Sequence, residues 1–338
     1  MRIALVTDAW TPQRNGVVRV LATLADTLGD LGHLVRVIEP SAFTTLPCPS
    51  YPEIPLALLP GRRMARMLDE FAPDAVHIAT EGPLGWAGRS WCLKHHLPFT
   101  SAYHTKFPEY IHTRTGIPLD WAYGLMRRFH GPAATVLCPS PSVHRELRQK
   151  GFSNAVPWSH GVDAGLFRPG PRDFLDLPRP IFLYVGRVAV EKNLPAFLDL
   201  DLPGSKVVVG DGPARTGLMR RYPEAHFRIV NGDQELGRAY RAADVFVFPS
   251  RTDTFGLVML EALASGVPVA AFPVTGPLDV VGGASVGVLD EDLRAAALRA
   301  LTIPPEDCRR HACRFSWSRV AAEFLSHLRP FTRRARAS

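Results

Sequence analysis

The stretch that decides the fold runs from Pro249 to Pro268 and reads PSRTDTFGLVMLEALASGVP. It follows the apolar run VFVF (245–248) and holds small or polar residues up to Gly256, which predicts a strand end and a turn. The apolar run from Leu257 to Ala264 then predicts a helix that stops before Gly266. A helix that begins at such a turn presents backbone N–H groups and the positive end of its dipole. The stretch therefore predicts a diphosphate site.

Two carboxylates, Asp253 and Glu261, bracket this turn. Carboxylates accept hydrogen bonds and repel other anions, so they are unexpected beside a phosphate unless they bind neutral hydroxyls. A ribose and a hexose both supply such hydroxyls. The turn therefore fits a ligand that carries phosphates and sugars together.

The rest of the chain reads as repeated strand–loop–helix units, which predicts parallel sheets with helices on both faces. A Gly- and Pro-rich stretch (161–172) separates two such series and reads as a linker. We expect an α/β protein with two Rossmann-like domains facing each other across a cleft. The predicted division is an N-terminal acceptor-side domain (1–165), a C-terminal donor domain (166–316), and a last helix with a basic tail (317–338) that packs back on the N-terminal domain or frays.

Composition limits the function classes. The chain has 338 residues, 46% hydrophobic and 21% charged, which suits two ordinary cores and excludes a disordered protein. The net charge of +7 favours an anionic partner such as a nucleotide or an acidic membrane surface. Nucleic acid is not expected, because the basic residues are scattered and form no known motif. The chain carries no signature of an oligomeric state.

Neither a metal site nor a disulfide framework is expected. The five cysteines form no Cys-x-x-Cys pair, and Cys308, His311 and Cys313 match no common zinc spacing. No apolar run is long enough to span a bilayer, and the first residues lack the pattern of a signal peptide. We therefore expect a cytoplasmic protein, either free or bound peripherally to the inner face of the cell membrane. Basic amphipathic stretches at 61–66 and 121–128 suit an anionic bilayer, although ordinary helix faces explain them nearly as well.

Two loops after predicted strands carry ligand-binding chemistry. Arg187 and Lys192, which follow Gly186, suit a pyrophosphate, because Arg forms a bidentate fork and Lys adds a point charge. Asn15 and Gly16 lie in the loop after the first strand, the usual phosphate position in this architecture. That loop lacks Gly-x-Gly-x-x-Gly, which disfavours an NAD enzyme, and an ordinary βα loop also explains it.

Taken together, the motifs resemble those of the retaining glycosyltransferases with the GT-B fold, in their large fourth sequence family. The resemblance covers nearly the whole chain and follows the family's order. It is carried by the following segments: NGV (15–17), YHTKFP (103–108), GR (186–187), EKN (191–193), GDGP (210–213), YRAADVFVFPS (240–250), TFGL (254–257), EA (261–262) and FSW (315–317). Bacterial members that form glycolipids resemble it in the runs 252–258 and 273–279.

The resemblance implies roles for particular residues. Arg187 and Lys192 would hold the donor diphosphate, and Glu261 the ribose. Asp253, with seven residues between it and Glu261, stands where the family usually has Glu, and it would bind a hydroxyl of the transferred sugar. His104 would contact that sugar, although a lone His beside a strand end is often only a packed residue. The implied catalytic set is His104, Arg187, Lys192 and Asp253, and the implied donor-binding set is Asn15, Gly16, Gly186, Asn231, Thr254, Phe255, Gly256, Leu257 and Glu261.

The resemblance also implies a reaction. A hexose of the glucose or glucuronate type would move from a nucleotide-diphosphate sugar, UDP-linked, to a lipid such as diacylglycerol, with retention and without a metal or other cofactor. A GDP-mannose-dependent α-mannosyltransferase acting on lipid or polysaccharide is an alternative within the fold. A non-catalytic protein that binds nucleotide sugars is the alternative of another class.

Overall fold

The computed structural model describes residues 1–13, 15–48 and 51–331. These residues form two compact units. The first is Met1–Ser159 together with the chain from Trp317 onward, and the second is His160–Ser316. Each unit contains a six-stranded sheet whose neighbouring strands run parallel. The expected α/β fold with two Rossmann-like domains is confirmed, and the last residues of the predicted basic tail (332–338) lie outside the described residues.

The first unit alternates strands and helices along the chain. Its strands are β1 (Arg2–Val6), β2 (Leu34–Ile38), β3 (Thr45–Cys48), β4 (Tyr51–Ala57), β5 (Ala75–Ile78), β6 (Thr100–Ala102), β7 (Thr135–Cys138) and β8 (Ala155–Pro157). Its helices are α1 (Gly16–Asp30), α2 (Gly61–Phe71), α3 (Pro83–Lys94), α4 (Phe107–Thr115), α5 (Leu119–His130) and α6 (Pro141–Gln149), with a 3-10 turn at Pro40–Ala42.

The strand order of the first sheet is β2-β1-β5-β6-β7-β8. The chain moves outward from β1 to β2 and then returns to β5 on the other side of β1, so the sheet reverses direction between β1 and β5. Ligands of open α/β sheets bind at the carboxyl ends of the strands at such a reversal. The loops that follow Val6 and Ile78 are therefore the positions of interest in this unit.

Sequence reasoning missed several elements of this unit. The antiparallel hairpin of β3 and β4 lies outside the main sheet, and its proline-rich sequence hides the strand pattern. Helix α3 begins at the Pro of a Gly-Pro pair that reads as a turn, and its small residues obscure the helical period. Helix α1, by contrast, buries the predicted stripe of Val18, Leu21, Leu24 and Leu28.

The second unit repeats the architecture. Its strands are β9 (Ile181–Val185), β10 (Ser205–Val209), β11 (His226–Arg228), β12 (Val245–Phe248), β13 (Val269–Ala271) and β14 (Gly287–Leu289). Its helices are α7 (Pro195–Leu198), α8 (Arg215–Arg221), α9 (Gly232–Ala242), α10 (Leu257–Ala264), α11 (Pro277–Val280), α12 (Leu293–Ala300) and α13 (Pro305–Ala312), with a 3-10 turn at Val190–Lys192. The following helix, α14 (Trp317–His327), belongs to the first unit.

The second sheet has the order β11-β10-β9-β12-β13-β14 and reverses between β9 and β12. Successive residues of β9 enter the cores on the two faces of the sheet, Ile181 and Leu183 on one side and Phe182 and Tyr184 on the other. Strands covered on both faces are apolar throughout, which explains the run IFLYV. The loops after β9 and β12 therefore leave the sheet side by side.

The stretch 161–172 is not the linker that its Gly and Pro content suggested. Val162 and Phe167 are buried in the core of the second unit. The guanidinium of Arg309 donates hydrogen bonds to the carbonyl oxygens of Phe167 (2.6 Å), Ala164 (2.7 Å) and Ala264 (2.9 Å). Composition alone misled here, because the backbone is held by a distant side chain.

Glycines allow the loops after β9 and β10 to pack backbone against backbone. Gly210 has φ +149°, and a Cβ there would lie 1.9 Å from the carbonyl oxygen of Gly186. A Cβ on Gly212 would lie 2.4 Å from the carbonyl oxygen of Val188. These contacts hold the loop that carries Arg187 and Lys192, so the turn 210–213 has a structural role in this unit.

We expect Gly210→Ala to lower the free energy of unfolding by at least about 2 kcal/mol, because the new methyl group overlaps a backbone oxygen at a strained φ. The measurement is urea unfolding followed by far-UV circular dichroism. Gly217→Ala is the matched control. Gly217 lies in α8, and apart from its chain neighbours and the backbone of its own helix no atom lies within 4 Å of the position that a Cβ would take there. The same substitution should therefore stabilise slightly. Equal midpoints for the two variants would contradict the close packing.

Candidate functional site

The reversal of the second sheet brings together the two loops that the sequence singled out. Asn193, which ends the 3-10 turn after β9, has a left-handed backbone (φ +52°) and its amide donates to the carbonyl oxygen of Pro249, 3.1 Å away. Pro249 directly follows β12. This bond fixes the loop with the predicted cations against the loop that leads into α10.

Lys192 and Asp253 form an ion pair across these loops. The ammonium nitrogen of Lys192 lies 2.7 Å from both carboxylate oxygens of Asp253. The side chains are 22% and 19% exposed, so the pair is open to solvent at one side. Ion pairs that are only partly buried contribute about 1 kcal/mol or less, and a ligand that offers both groups better partners can separate them. Two residues predicted to bind different parts of one donor therefore touch each other.

Arg187 and Gly186 lie on the same loop, next to this pair. Arg187 is exposed, and its carbonyl oxygen accepts a hydrogen bond from the Tyr184 hydroxyl at 2.9 Å. Burial, and then the charges of Asp253 and Glu191, raise the pKa of Tyr184 well above its usual value. Tyr184 therefore stays neutral, and its hydrogen bond to the backbone of Arg187 stabilises the loop.

The turn after β12 presents backbone rather than side chains. Phe255 is buried, and its ring packs edge-on against His160 with centroids 5.0 Å apart. Gly256 (φ +89°) precedes α10, whose first turn has no acidic residue and no side-chain cap among the described residues. Thr254, Gly256 and Leu257 are partly exposed. The start of α10 therefore has the backbone and charge that an anion requires.

Glu261 lies in the second turn of α10 and is 4% exposed. One of its carboxylate oxygens accepts a hydrogen bond of 2.7 Å from the hydroxyl of Tyr240 on α9. In the sequence, Tyr240 stands out only as part of the motif at 240–250. Its contact with Glu261 depends on the packing of α9 against α10. Asn231, predicted to bind the donor, is exposed before α9, and its N–H donates to Glu235 at 2.7 Å.

Three predicted site residues belong to the first unit. Asn15 caps α1, because its side-chain oxygen accepts a 3.0 Å hydrogen bond from the N–H of Val18. Gly16 is exposed at the first position of α1. The capping contact gives Asn15 a structural role that explains its presence, and its predicted contact with the donor stays a prediction.

His104 follows β6 and is half-buried. Burial, and then the neighbouring His130, lower the pKa of His104 to about 4, so its imidazole is neutral at neutral pH and acts as a hydrogen-bonding group. Its ring lies edge-on to Trp158 (6.2 Å between centroids), and the Trp158 indole N–H donates to the carbonyl oxygen of Val320 in α14 (3.1 Å). The last helix thus supports the histidine through Trp158.

Comparisons with known proteins cover most of both units. The sequence matches the domain described as Glycosyltransferase Family 4 over residues 14–166 and the domain described as Glycosyl transferases group 1 over residues 179–303. It is 32% identical over 319 residues to a GDP-mannose-dependent alpha-mannosyltransferase of Mycobacterium tuberculosis, across 86% of this chain and 83% of that protein. The chain belongs to glycosyltransferase family 4.

Other relatives of this family 4 glycosyltransferase carry different names. The sulfoquinovosyl transferase SQD2 of Arabidopsis thaliana is 32% identical over 73% of this chain and 51% of its own length. The alpha-monoglucosyldiacylglycerol synthase of Streptococcus pneumoniae is 27% identical over 96% and 83%. The enzyme class is therefore glycosyltransferase, and these names do not agree on one sugar or acceptor.

Solved structures show the same GT-B fold. Sucrose-phosphate synthase of Thermosynechococcus elongatus superposes with a TM-score of 0.76 at 21% identity, over 96% of this chain and 97% of that chain. HepE of Anabaena in complex with UDP-glucose superposes with a TM-score of 0.70 at 17% identity, over 96% and 99%. The predicted GT-B fold is confirmed.

The described residues of this glycosyltransferase contain neither a metal-ligand cluster nor a membrane-spanning helix. No three or more His, Cys, Asp or Glu side chains among them come close enough to hold a metal ion. No helix in the described ranges is both long enough and apolar enough to cross a membrane. Cys308 is buried and Cys313 is exposed, while the ring of His311 bonds to the carbonyl oxygen of Val280 at 2.8 Å.

The buried imidazoles of the first unit make its stability depend on pH. His77 on β5 is fully buried and bonds to the Thr100 hydroxyl at 2.9 Å, and burial, then the charge of His104, lower its pKa to about 3. The unfolded chain therefore binds more protons than the folded one below about pH 6.5. We expect stability to fall between pH 6.5 and 4 by up to about 1.4 kcal/mol per pH unit for each such imidazole.

The measurement is the melting temperature at pH 7 and pH 5 for the wild type, His77→Gln and His95→Gln. His77→Gln removes the titrating group, so its melting temperature should fall less between the two pH values, whatever its absolute stability. His95 is exposed at the end of α3, and its substitution should leave the difference unchanged. An equal decrease in all three proteins would show that His77 is not responsible.

Proposed function

We propose that this protein transfers a hexose from a nucleotide-diphosphate sugar to a lipid acceptor such as diacylglycerol, with retention of configuration. The leading candidate for the donor is a UDP-linked sugar. The observation that carries the proposal is the meeting of Lys192 and Asp253 in front of α10, at the reversal of the second sheet. Cations and a helix start suit the diphosphate, and carboxylates suit hydroxyls. HepE, with the same fold, binds UDP-glucose, which supports a nucleotide sugar as the donor.

The chemistry follows from the charges. The bond between C1 of the sugar and the diphosphate oxygen breaks, and the acceptor oxygen forms the new bond to C1 on the same face. The acceptor proton passes to an oxygen of the departing phosphate. Arg187, Lys192 and the backbone at the start of α10 stabilise the departing anion, as preorganised donors do. These groups supply positive charge themselves, so we propose that the reaction needs neither a divalent metal nor a cofactor.

The ion pair gives binding an order. When the donor binds, Lys192 separates from Asp253 and pairs with the diphosphate. The carboxylate of Asp253 then accepts a hydrogen bond from a hydroxyl of the sugar. Glu261, already aligned by Tyr240, is left to bind the ribose. Asn15, Gly16 and Asn231 stay in the proposed donor set, and His104 keeps the sugar-contacting role that the resemblance implies.

We expect Arg187→Ala and Lys192→Ala each to lower kcat/KM by about 10²-fold or more, because each removes a donor to the departing diphosphate. The measurement is the release of nucleoside diphosphate from purified protein. Arg220→Ala is the matched control, since Arg220 is an exposed arginine of α8. Rates equal to those of the wild type in both site variants would remove these residues from the mechanism.

A panel of donors separates the alternatives. Turnover of GDP-mannose and not of UDP-sugars would favour the mannosyl reading, which the Mycobacterium tuberculosis relative supports equally well. Nucleotide-sugar binding without any turnover would favour a non-catalytic protein. Loss of turnover on addition of a chelator would contradict the metal-independent mechanism.

We further propose that the first unit binds peripherally to an anionic bilayer, on the inner face of the cell membrane. Arg62, Arg63 and Arg66 are exposed on α2, and Leu59 beside them is 96% exposed. Helices α4 and α5 and the connection between them expose a second set of apolar side chains, Phe107, Ile117, Trp121 and Leu125. Arg128 is also exposed, one turn beyond Leu125. Apolar side chains next to arginines suit the interface of an anionic membrane.

We expect the double variant Trp121→Ser, Leu125→Ser to weaken binding to anionic vesicles by about 10-fold or more, because it removes two side chains that would enter the interface. Flotation of the protein with phosphatidylglycerol vesicles measures this, and added salt should weaken the wild type as well. The control is Met219→Ser, Leu301→Ser, which alters two exposed apolar residues of the second unit. Wild-type flotation that is absent or insensitive to salt would contradict the membrane proposal.

A further inference from the structure

The reversal of the first sheet carries a carboxylate that already fills a helix start. Asp8, just after β1, accepts hydrogen bonds from the N–H groups of Leu84 (2.9 Å) and Gly85 (3.3 Å) at the start of α3, and from the Thr80 hydroxyl (2.8 Å). A Cβ on Gly82 would lie 2.4 Å from the carboxyl carbon of Asp8. The start of α3, an anion-binding position at the reversal of this sheet, is therefore occupied by a carboxylate of the protein itself.

A second carboxylate lies next to it, held from behind. Glu81 follows β5, and its Oε1 is 3.2 Å from Nε2 of His130. His130 is fully buried, and its Nδ1 is 2.8 Å from the hydroxyl of Ser101 on β6. Ser101, His130 and Glu81 thus form a chain of hydrogen bonds, called the relay below, that runs from β6 to the carboxyl edge of the sheet. Such a relay fixes the direction of a carboxylate.

The other oxygen of Glu81 remains available. Among the residues that the structure describes, none donates a hydrogen bond to Oε2 of Glu81, and 13% of the side chain is exposed. The Glu81 charge also reaches Asp8, since burial first, and Glu81 to a lesser extent, raise the pKa of Asp8. The edge of the sheet between β1 and β6 is therefore negative.

A buried hydroxyl follows β6 at the same edge of the sheet, within electrostatic reach of Glu81. Tyr103, directly after β6, is 1% exposed, and within the described ranges its hydroxyl has no hydrogen-bond partner of normal geometry. Burial, and then Tyr123, Glu109 and Glu81, raise the pKa of Tyr103, so it stays a neutral donor and acceptor. A buried hydroxyl without a partner costs free energy unless something else satisfies it.

We propose that Glu81, held by His130 and Ser101, binds a hydroxyl of the acceptor, and that the acceptor headgroup at this edge is uncharged. This inference rests on the proposed glycosyl transfer and names the acceptor class for it. An ionised carboxylate accepts hydrogen bonds from hydroxyls and repels phosphates. A phosphate would also find the start of α3 already filled by Asp8.

The test is Glu81→Gln, which keeps the size of the side chain and a contact to His130 while it removes the charge. We expect the acceptor KM to rise about 10- to 100-fold, as for loss of a hydrogen bond to a charged group, with donor KM and donor hydrolysis unchanged. Ser101→Ala, which removes only the far end of the relay, should raise the acceptor KM less. Glu39→Gln, after edge strand β2, is the matched control and should change neither constant.

Three acceptors test the headgroup: diacylglycerol in vesicles, methyl glucoside in solution, and phosphatidylinositol in vesicles. We expect diacylglycerol or methyl glucoside to be used as the acceptor. The preferred one of the two shows whether the natural acceptor is a lipid or a soluble sugar. Preference for phosphatidylinositol would overturn the uncharged headgroup. An unchanged acceptor KM, or an equal loss of donor hydrolysis, would overturn the role of Glu81. Failure of the wild type to bind any nucleotide sugar would instead overturn the proposed function, and this inference with it.

Discussion

The order of the parallel strands in the second unit is the constraint on which its site depends. Strand β9 lies beside β12, although about 60 residues separate them in the chain. Because parallel strands end at one edge, the loop with Arg187 and Lys192 leaves the sheet next to the turn that holds Asp253. The bond from Asn193 to Pro249 and the Lys192–Asp253 pair then fix the two loops together. Without this neighbouring pair of strands, the cations and the start of α10 would not form one site.

The two units use charge differently at equivalent positions. In the second unit the edge of the sheet offers a lysine, an arginine and a helix start with no side-chain cap among the described residues, which suits an anion. In the first unit the same edge offers Asp8 and Glu81, with Asp8 already on the start of α3. We propose that this difference suits a phosphate in the second unit and a hydroxyl in the first, since the side chains at the strand ends decide which ligand is attracted.

Much of the fold could be predicted from periodicity. Buried strands such as IFLYV and VFVF, and the apolar stripe of α1, are visible in the sequence because burial on both faces or on one stripe fixes residue type. The hairpin of β3 and β4 and helix α3 were missed, since proline and small residues hide their periods. The stretch 161–172 was misread as a linker, because only Arg309, some 140 residues away, shows that its backbone is held.

The sequence by itself determined the family, the fold class and the residue types at the proposed donor site, because these are recorded in local motifs such as GR, EKN and TFGL. It could not determine which side chains touch. The pairing of Lys192 with Asp253, of Tyr240 with Glu261, and of Glu81 with His130 joins residues far apart in the chain. Only the tertiary structure decided these contacts, since they depend on strand order and helix packing, which bring distant segments within hydrogen-bond distance.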